Sequence, residues 1–311
     1  MGNGKRALVT GAAGQDGSYM CELLLEKGYT VTGLVRPSGD NRLNRLKNCI
    51  GHAQFILHSA DVLDPYSLIS WLWPHAFEEI YHFAAQTHVH QGARAAQTLQ
   101  VNSVVPAVML DELGPKTKLY FPSTSEMFGD MEVGTRADET HPLSARSPYA
   151  ASKVAAHLLC RVFRKRGKFV VSGIAFNHES ARRGENFVTR KTALGVKHFL
   201  KTGKKVQLGN IAAMRDWHHA KDTVRGIYLA MQHDTPDEYV FASGTVGSVG
   251  FLVSEICQHL GTTRKEAVEI TQAEFRPWDV EYLCGNPAKA KRVLGWEPEI
   301  SWPEMIEDIC R

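Results

Sequence analysis

Tyr149 and Lys153 are four residues apart, a spacing that places both side chains on one face of a helix. An ammonium group beside a phenol stabilises the phenolate, which lowers the pKa of the tyrosine from ~10. Such a tyrosine can take the proton of a sugar hydroxyl while the carbon that bears it gives a hydride to a nicotinamide. A plain contact on a helix surface would have the same spacing, so the surrounding sequence decides the meaning of the pair.

A polar segment, Ser123-Thr124-Ser125-Glu126, follows an apolar run of strand length at residues 118–122. Ligands of open parallel sheets bind at the carboxyl ends of the strands. We therefore predict that Thr124 and Glu126 meet Tyr149 and Lys153 beside the nicotinamide.

A glycine-rich turn, Thr10-Gly11-Ala12-Ala13-Gly14-Gln15-Asp16-Gly17, lies between a short apolar run and an amphipathic pattern at residues 15–27. In such a turn the glycines let the backbone approach a pyrophosphate, and the helix N-terminus offers it free N–H groups. Its position between a strand and a helix near the N-terminus indicates dinucleotide binding. The predicted cofactor contacts here are Gly11, Gly14, Gln15, Asp16 and Gly17.

The residue after the second strand indicates which cofactor binds. NAD-binding proteins usually carry an acid there, whereas Arg36 stands at this point and no acid occurs before Asp40. We therefore predict NADP. Asp61 and Val62 suit the edge of the adenine, and the small Ala84 and Ala85 suit a flat ring; Tyr149 and Lys153 are also predicted to contact the cofactor.

The elements that must position these residues alternate between strand and helix patterns. Strand-like runs at 6–10, 29–35, 54–58, 79–84, 118–122 and 169–176 are separated mostly by helical patterns, among them 15–27, 65–73, 93–112 and 149–165. This alternation predicts an α/β fold with a doubly wound, mostly parallel sheet (a Rossmann fold). We predict an NADP-binding domain over residues 1–176. A smaller, interleaved substrate-binding domain would span 177–311, with a strand near 238–243 returning to the main sheet.

Composition excludes several other classes of protein. The chain has 311 residues, 43% hydrophobic and 22% charged, which excludes disorder. The net charge of +3 does not indicate a nucleic-acid or membrane partner. The six cysteines form no C-x-x-C pair, and the close histidine pairs (His88 with His90, His218 with His219) lack the i, i+4 spacing of helical metal ligands, so we predict no metal. Without a secretory pattern, the expected location is the cytoplasm.

The glycine turn, the strand-end threonine and the Tyr/Lys pair together resemble short-chain dehydrogenases of the extended type, over essentially the whole chain. Three longer segments are similar, more narrowly, to the GDP-mannose 4,6-dehydratase family. They are residues 176–191, residues 208–210 with 215–217, and residues 275–277 with 285–290. Glu126 also fits this family, since the epimerases of the superfamily need no acid at that point.

The resemblance implies a dehydratase whose cofactor is regenerated in each turnover. Tyr149, as phenolate, would remove the proton of the sugar O4 while C4 passes a hydride to NADP. Thr124 would hydrogen-bond O4, and Lys153 would lower the pKa of Tyr149 and hold the cofactor ribose. Glu126 would take the C5 proton, water would leave from C6, and the hydride would return to C6.

The resemblance also implies binding roles in the second half of the chain, where His178 and Arg183 would contact NADP. The predicted substrate-binding residues are Thr87, Ser125, Asn177, Val188, Lys191, Arg215, Arg276 and Asp279. Apart from any resemblance, the cations Lys191, Arg215 and Arg276 could converge on a diphosphate. The expected substrate is a nucleotide sugar, most favourably GDP-mannose, and the expected assembly is a homodimer or homotetramer.

Several residues depart from the family pattern. Pro37 replaces a second arginine, Asn102 replaces an aspartate and Asp279 replaces a glutamate. Four alternatives therefore stay open: a dehydratase of another GDP-sugar such as a heptose, a 4-keto-6-deoxy sugar reductase, an NDP-sugar epimerase, and a non-enzymatic protein that senses NADP. Reductases and epimerases need no C5 base beside Thr124, and silent relatives typically lose the Tyr/Lys pair. The dehydratase is the function that we predict.

Overall fold

The computed structural model describes residues 4–37, 41–64, 68–70, 75–87, 94–275 and 279–311. Its strands are β1 (Arg6–Thr10), β2 (Thr30–Val35), β3 (Phe55–Ser59), β4 (Glu79–His82), β5 (Lys118–Thr124), β6 (Val170–Ala175), β7 (Asn177–Glu179), β8 (Val206–Leu208), β9 (Met214–His219), β10 (Glu238–Phe241), β11 (Val246–Ser248), β12 (Val268–Ile270) and β13 (Tyr282–Leu283). Its α-helices are α1 (Gln15–Glu26), α2 (Ala95–Leu99), α3 (Val105–Glu112), α4 (Pro148–Lys165), α5 (Val188–Thr202), α6 (Ala220–Gln232), α7 (Val249–His259), α8 (Arg264–Ala267), α9 (Ala288–Leu294) and α10 (Trp302–Cys310).

The chain divides into two compact units. The first comprises residues 1–127, 145–174 and 224–239, and the second comprises residues 128–144, 175–223 and 240–311. Along the chain the two units are therefore interleaved.

A seven-stranded sheet has the order β10-β6-β5-β4-β1-β2-β3. The pairs β3–β2, β2–β1, β1–β4 and β4–β5 are parallel. The chain leaves β1 in one direction toward β2 and β3, then returns to the other side of β1 with β4. Ligands of open α/β sheets bind at such a switch point, at the carboxyl ends of the strands. The predicted α/β class with a doubly wound sheet is confirmed.

Buried apolar side chains hold the helices of the first unit on this sheet. Leu8, Ile80 and Phe121 on the strands share one cluster with Met109 on α3 and Phe163 on α4. Burying a side chain of this size contributes about 1.5–3 kcal/mol. The helix α4 has a defined start, because Ser147 Oγ accepts a hydrogen bond from the Ala150 N–H and Pro148 occupies the first turn.

The helical pattern predicted over 93–112 is interrupted in the structure. A π-helical segment, Gln100–Val104, joins α2 to α3. Such segments insert one extra residue per turn and are frequent at functional sites. Here the segment presents Asn102 and Ser103 to buried partners on α4. Of the helix predicted over 65–73, residues 68–70 are described and helical.

The second unit has a core of its own. The strands β11, β9 and β13 form one sheet in which β7 also pairs with β9, and β12 pairs with β8. Helices α5, α7 and α10 contribute Val196, Ile256 and Ile309 to a cluster with Trp217 of β9. The strand β10, in the segment predicted to return to the main sheet, is the edge strand beside β6.

Candidate active site

The carboxyl end of β5 carries two of the predicted catalytic residues. Thr124 is the last residue of the strand, and Glu126 lies in the 3-10 turn Ser125–Phe128 that follows. The Glu126 backbone N–H donates to Thr124 Oγ1 over 3.3 Å, which holds the hydroxyl beside the start of the turn. Both side chains are half-buried, so each keeps access to a ligand. Ser125, a predicted substrate contact, is buried.

Lys153 fixes helix α4 to the same strand. Its Nζ donates to the Pro122 carbonyl oxygen over 2.8 Å and lies 4.8 Å from the centre of the Phe121 ring. The residue is only 3% exposed, and this burial lowers the pKa of Lys153 from 10.5 to about 7. The ammonium is therefore held two residues before Thr124, where its charge is weakly screened.

Tyr149 lies one helical turn before Lys153 and is half-buried. Its carbonyl oxygen accepts from Ser152 Oγ over 2.7 Å, and Ser152 Oγ in turn accepts from Asn102 Nδ2 over 3.0 Å. Asn102 also receives the Gln86 N–H on its Oδ1, over 2.8 Å, and donates to the Gln86 carbonyl. The π-helical segment thus ties the loop after β4 to the helix that carries the tyrosine, a role that the sequence did not indicate.

The glycine turn has the geometry of a dinucleotide cradle. Gly11 has a φ of +66°, and a Cβ there would lie 2.8 Å from the Ala84 nitrogen. A Cβ on Gly17 would lie 2.3 Å from the Gly11 oxygen. The Gly14 N–H donates to the Gly11 oxygen over 2.8 Å. Only glycine fits at Gly11 and Gly17, and the structure brings the turn, the start of α1 and Ala84 together. The cofactor contacts of these residues stay a prediction.

His82 lies beneath this turn, at the end of β4. Its Nδ1 is 3.0 Å from Thr10 Oγ1, and Thr10 Oγ1 accepts the Ala84 N–H over 3.1 Å. Burial and the nearby positive charge of Lys153 lower the pKa of His82 to about 3. The imidazole is therefore neutral at physiological pH, and it fixes the ends of β1 and β4 beside each other.

The remaining cofactor candidates of the first unit follow the neighbouring strands β2, β3 and β4. The Ala60 N–H donates to the Val35 carbonyl over 3.0 Å, which places the ends of β2 and β3 side by side. Arg36 is exposed directly after β2, and Asp61 is exposed after β3, where its Oδ1 accepts the Leu63 N–H over 3.0 Å. The other three are placed as follows: Val62 packs on the core cluster, Ala85 is half-buried, and Thr87, a substrate candidate, is exposed.

In the second unit, His178 and Arg183 lie on and after β7. His178 Nδ1 is 2.7 Å from the Phe176 oxygen, and its ring centre is 5.9 Å from that of His218. Arg183 Nε lies 3.3 Å from the buried carboxylate of Glu179, and the guanidinium lies 3.8 Å over the Phe187 ring. Both predicted cofactor residues are thus held by protein groups of this segment.

Two of the three predicted substrate cations of the second unit are paired with acids. Arg215 Nη2 lies 3.1 Å from Asp279 Oδ1, so two residues predicted separately form one ion pair. Lys191 Nζ lies 2.7 Å from Glu274 Oε2. Asn177 pairs with Trp217 between β7 and β9, and Val188 begins α5. Arg276 lies outside the described residues. Among those described, no three His, Cys, Asp or Glu side chains could hold a metal ion together.

The fold and the site define the chain as a short-chain dehydrogenase of the extended type. A UDP-glucose 4-epimerase from Thermus thermophilus, solved with NAD, matches 98% of this chain and 97% of its own at a TM-score of 0.86 and 26% identity. A dTDP-glucose 4,6-dehydratase from Bacillus anthracis has the same fold, with a TM-score of 0.86 and 21% identity over 98% of this chain and 95% of its own.

Sequence comparison gives the particular family. Residues 8–309 match the family model described as GDP-mannose 4,6 dehydratase. GDP-mannose 4,6 dehydratase 2 of Arabidopsis thaliana is 41% identical over 97% of this chain and 85% of its own length. The Homo sapiens GDP-mannose 4,6 dehydratase is 37% identical over 97% of this chain and 90% of its own. The chain belongs to the GDP-mannose 4,6-dehydratase family, as the motifs of the sequence predicted.

Proposed function

We propose that this protein converts GDP-mannose to GDP-4-keto-6-deoxymannose, with NADP as a cofactor that is regenerated in each turnover. The observation that carries the proposal is the placement of Thr124 and Glu126 within one turn at the end of β5, where the Glu126 backbone N–H donates to Thr124 Oγ1 and Lys153 holds the strand. A hydroxyl for O4 and a carboxylate for C5 within one turn are what a 4,6-elimination needs. The family membership supports the same reaction.

In this mechanism the tasks are divided among four residues. Tyr149, as phenolate, removes the proton of O4, and Thr124 Oγ1 hydrogen-bonds that oxygen. Lys153 stabilises the phenolate by its charge and holds the cofactor ribose. Once C4 is a ketone, the C5 hydrogen is acidic, and the Glu126 carboxylate removes it. The same carboxyl group then gives its proton to the hydroxyl that leaves C6 as water.

The glycine turn, Ala84 and Ala85 are the groups that we propose to hold the cofactor. A Cβ on Gly11 or Gly17 would collide with neighbouring backbone, so the tight turn that would bring the backbone close to a pyrophosphate requires glycine. Bound NADP would accept the hydride from C4 and return it to C6. As the hydride returns, C5 would take up one proton, which balances the proton that Tyr149 removed from O4. Arg36, exposed after β2, supports the choice of NADP over NAD, since a guanidinium there would pair with the 2′-phosphate. Gln15, Asp16, Asp61, Val62, His178 and Arg183 complete the proposed cofactor set.

For the GDP moiety we propose the polar residues of the second unit. The Arg215–Asp279 pair would present a cation to the diphosphate and a carboxylate to a ribose hydroxyl. Lys191 would exchange its exposed partner Glu274 for a phosphate, at little cost because exposed ion pairs contribute only about 0–1 kcal/mol. Asn177, Val188 and Arg276 complete the GDP set, and Thr87 and Ser125 are proposed hexose contacts.

The test of this function is the mass of the sugar after incubation with enzyme. GDP-mannose should lose one water with no net reduction of NADP. Glu126→Gln, which keeps the shape but removes the base, should lose turnover by roughly 100-fold or more while binding of the nucleotide sugar persists. An unchanged mass, stoichiometric reduction of the cofactor, or full turnover by E126Q would each refute the proposal. Water loss only from a GDP-heptose would reassign the substrate within the same mechanism.

We also propose that the protein is a homo-oligomer. Leu158 and Val162 lie one turn apart on α4 and are 45% and 43% exposed, and Leu99 and Val104, on the helical segment that packs against α4, are 42% and 41% exposed. We propose that these exposed apolar side chains form the association surface. Native mass spectrometry of Leu158→Arg should give monomer where the parent protein gives dimer or tetramer.

We propose the cytoplasm as its location. All six cysteines are free and buried, as suits a reducing compartment. Within the described part of the chain, no helix is long and apolar enough to cross a membrane.

A further inference from the structure

Helix α4 carries four functional or charged side chains at successive i, i+4 positions: Tyr149, Lys153, His157 and Arg161. The first two belong to the proposed active site. His157 is fully buried and Arg161 is partly buried, and neither has a part in the reaction as described so far. Buried polar side chains on the helix that bears the proposed catalytic tyrosine need a physical explanation, since apolar side chains would be buried at a lower cost in free energy.

His157 contacts two groups on two different strands. Its Nδ1 lies 2.7 Å from Ser123 Oγ on β5, and its Nε2 lies 3.2 Å from Glu238 Oε2 on β10. Arg161 Nη2 binds the same carboxylate over 2.7 Å, and Arg161 Nε lies 2.9 Å from its other oxygen. The four residues Ser123, His157, Glu238 and Arg161, here called the polar row, thus span the sheet from its edge strand to β5.

The polar row holds the His157 imidazole between an ionised carboxylate and a hydroxyl group. Burial raises the pKa of Glu238, but the hydrogen bond from His157 and the bonds from Arg161 outweigh it and lower that pKa to about 2. The carboxylate is therefore ionised at physiological pH, and it lies 3.2 Å from His157 Nε2 while it binds the Arg161 guanidinium. On the other side of the ring, Nδ1 and Ser123 Oγ lie 2.7 Å apart, within hydrogen-bond distance.

The polar row ends next to the proposed catalytic residues. Ser123 precedes Thr124 directly, and Pro122, on its other side, receives the Lys153 ammonium over 2.8 Å. Two successive residues of β5 are thus fastened to two successive turns of α4, one by lysine and one by histidine. The two contacts together hold the end of β5, and with it Thr124, against the helix that carries Tyr149.

We propose that His157 is a positioning residue of the dehydration reaction, which acts through Ser123 to hold Thr124 in register with Tyr149. Hydride transfer from C4 requires O4 to be held by Thr124 and Tyr149 at the same moment, and a misplacement of about 1 Å can lower a rate on the order of 100-fold. The proposal rests on the proposed function, and it adds a residue outside the groups that touch substrate or cofactor.

The test compares kinetic constants of single and double variants. His157→Phe and Ser123→Ala each remove the contact between His157 and Ser123 but keep the bond from Lys153 to Pro122, and each should lower kcat for GDP-mannose about tenfold with KM changed less than twofold. The two losses should not add in H157F/S123A, because both variants break one contact. His157→Asn, whose amide can replace Nδ1 toward Ser123, should recover kcat to within about threefold of the parent enzyme.

Two further measurements separate positioning from general destabilisation. Phe163→Leu, in the apolar core on the same helix, should lower the melting temperature without changing kcat. With GDP-mannose deuterated at C4, the isotope effect on kcat should rise in H157F and S123A, since hydride transfer becomes the slow step. Unchanged kcat in both variants, additive losses, or an equal loss in F163L would overturn the proposal. A parent enzyme that removes no water from GDP-mannose would instead refute the proposed function.

Discussion

Lys153→Met should abolish activity and yet stabilise the cofactor-free protein. The ammonium of Lys153 is 3% exposed, and its burial lowers the pKa from 10.5 to about 7. At about 1.36 kcal/mol for each pKa unit, keeping this amine protonated below pH 7 costs the folded state about 5 kcal/mol. Methionine removes that cost but leaves the Pro122 oxygen without its donor, a loss of about 1–3 kcal/mol. The net gain is about 2 kcal/mol or more.

The pH dependence gives this prediction its sign. A lysine with a lowered pKa in the folded state costs stability below about pH 7, and the cost disappears as the pH rises from 7 to 10.5. Urea unfolding of both proteins should therefore show K153M as more stable at pH 6, with the difference shrinking or reversing by pH 10. A K153M variant less stable than the parent at pH 6 would show that burying the protonated amine does not cost the folded state this free energy. Lys153→Arg, which stays charged at every pH, should show no such pH-dependent change.

Three other predictions concern separate parts of the molecule. Gly17→Ala should weaken NADP binding at least tenfold in titration calorimetry, because its Cβ would lie 2.3 Å from the Gly11 oxygen and distort the glycine turn. The control variant Gly114→Ala, which has open space around its Cβ, should bind NADP as the parent protein does. Asp308→Asn should lower the unfolding free energy by about 2 kcal/mol at pH 7. Burial raises the pKa of Asp308, but the hydrogen bond with His219 outweighs burial and lowers that pKa to about 2. The difference in stability between the variant and the parent should therefore shrink as the pH falls from 4 to 2. All six cysteines are buried, so a thiol reagent should label none of them in the native protein at pH 8 and all of them in guanidinium; rapid labelling of the native protein would contradict the packing.

The sequence was sufficient for the parts of the site that depend on local spacing. Gly11 and Gly17 lie in one tight turn, and Tyr149 and Lys153 lie one turn apart on one helix. The relative position of each pair therefore follows from its spacing in the sequence. The end of β5 could be located because an apolar run stops there. The topology followed from the alternation of strands and helices.

The contacts that could not be predicted from the sequence join residues far apart in the chain. Glu238 and His157 are 81 positions apart, and only the adjacency of β10 and β6 brings them into contact. Asn102 reaches Ser152 because a π-helical segment shifts its angle about the helix axis, and a pattern of 3.6 residues per turn cannot show such a shift. The pair of Arg215 with Asp279 likewise joins two segments that no local pattern relates.

The charged groups along helix α4 of the first unit are distributed in a way that favours a phenolate at Tyr149. Lys153 is kept away from water, and no carboxylate forms an ion pair with it among the described residues, so its charge is not neutralised before a ligand binds. His82, beneath the glycine turn, stays neutral and adds no competing positive charge. The carboxylate of Glu238 instead binds Arg161 and His157, further along the same helix. The helix thus separates a neutralised end, which fixes its position, from an uncompensated ammonium beside the tyrosine, and an uncompensated ammonium is what a phenolate requires.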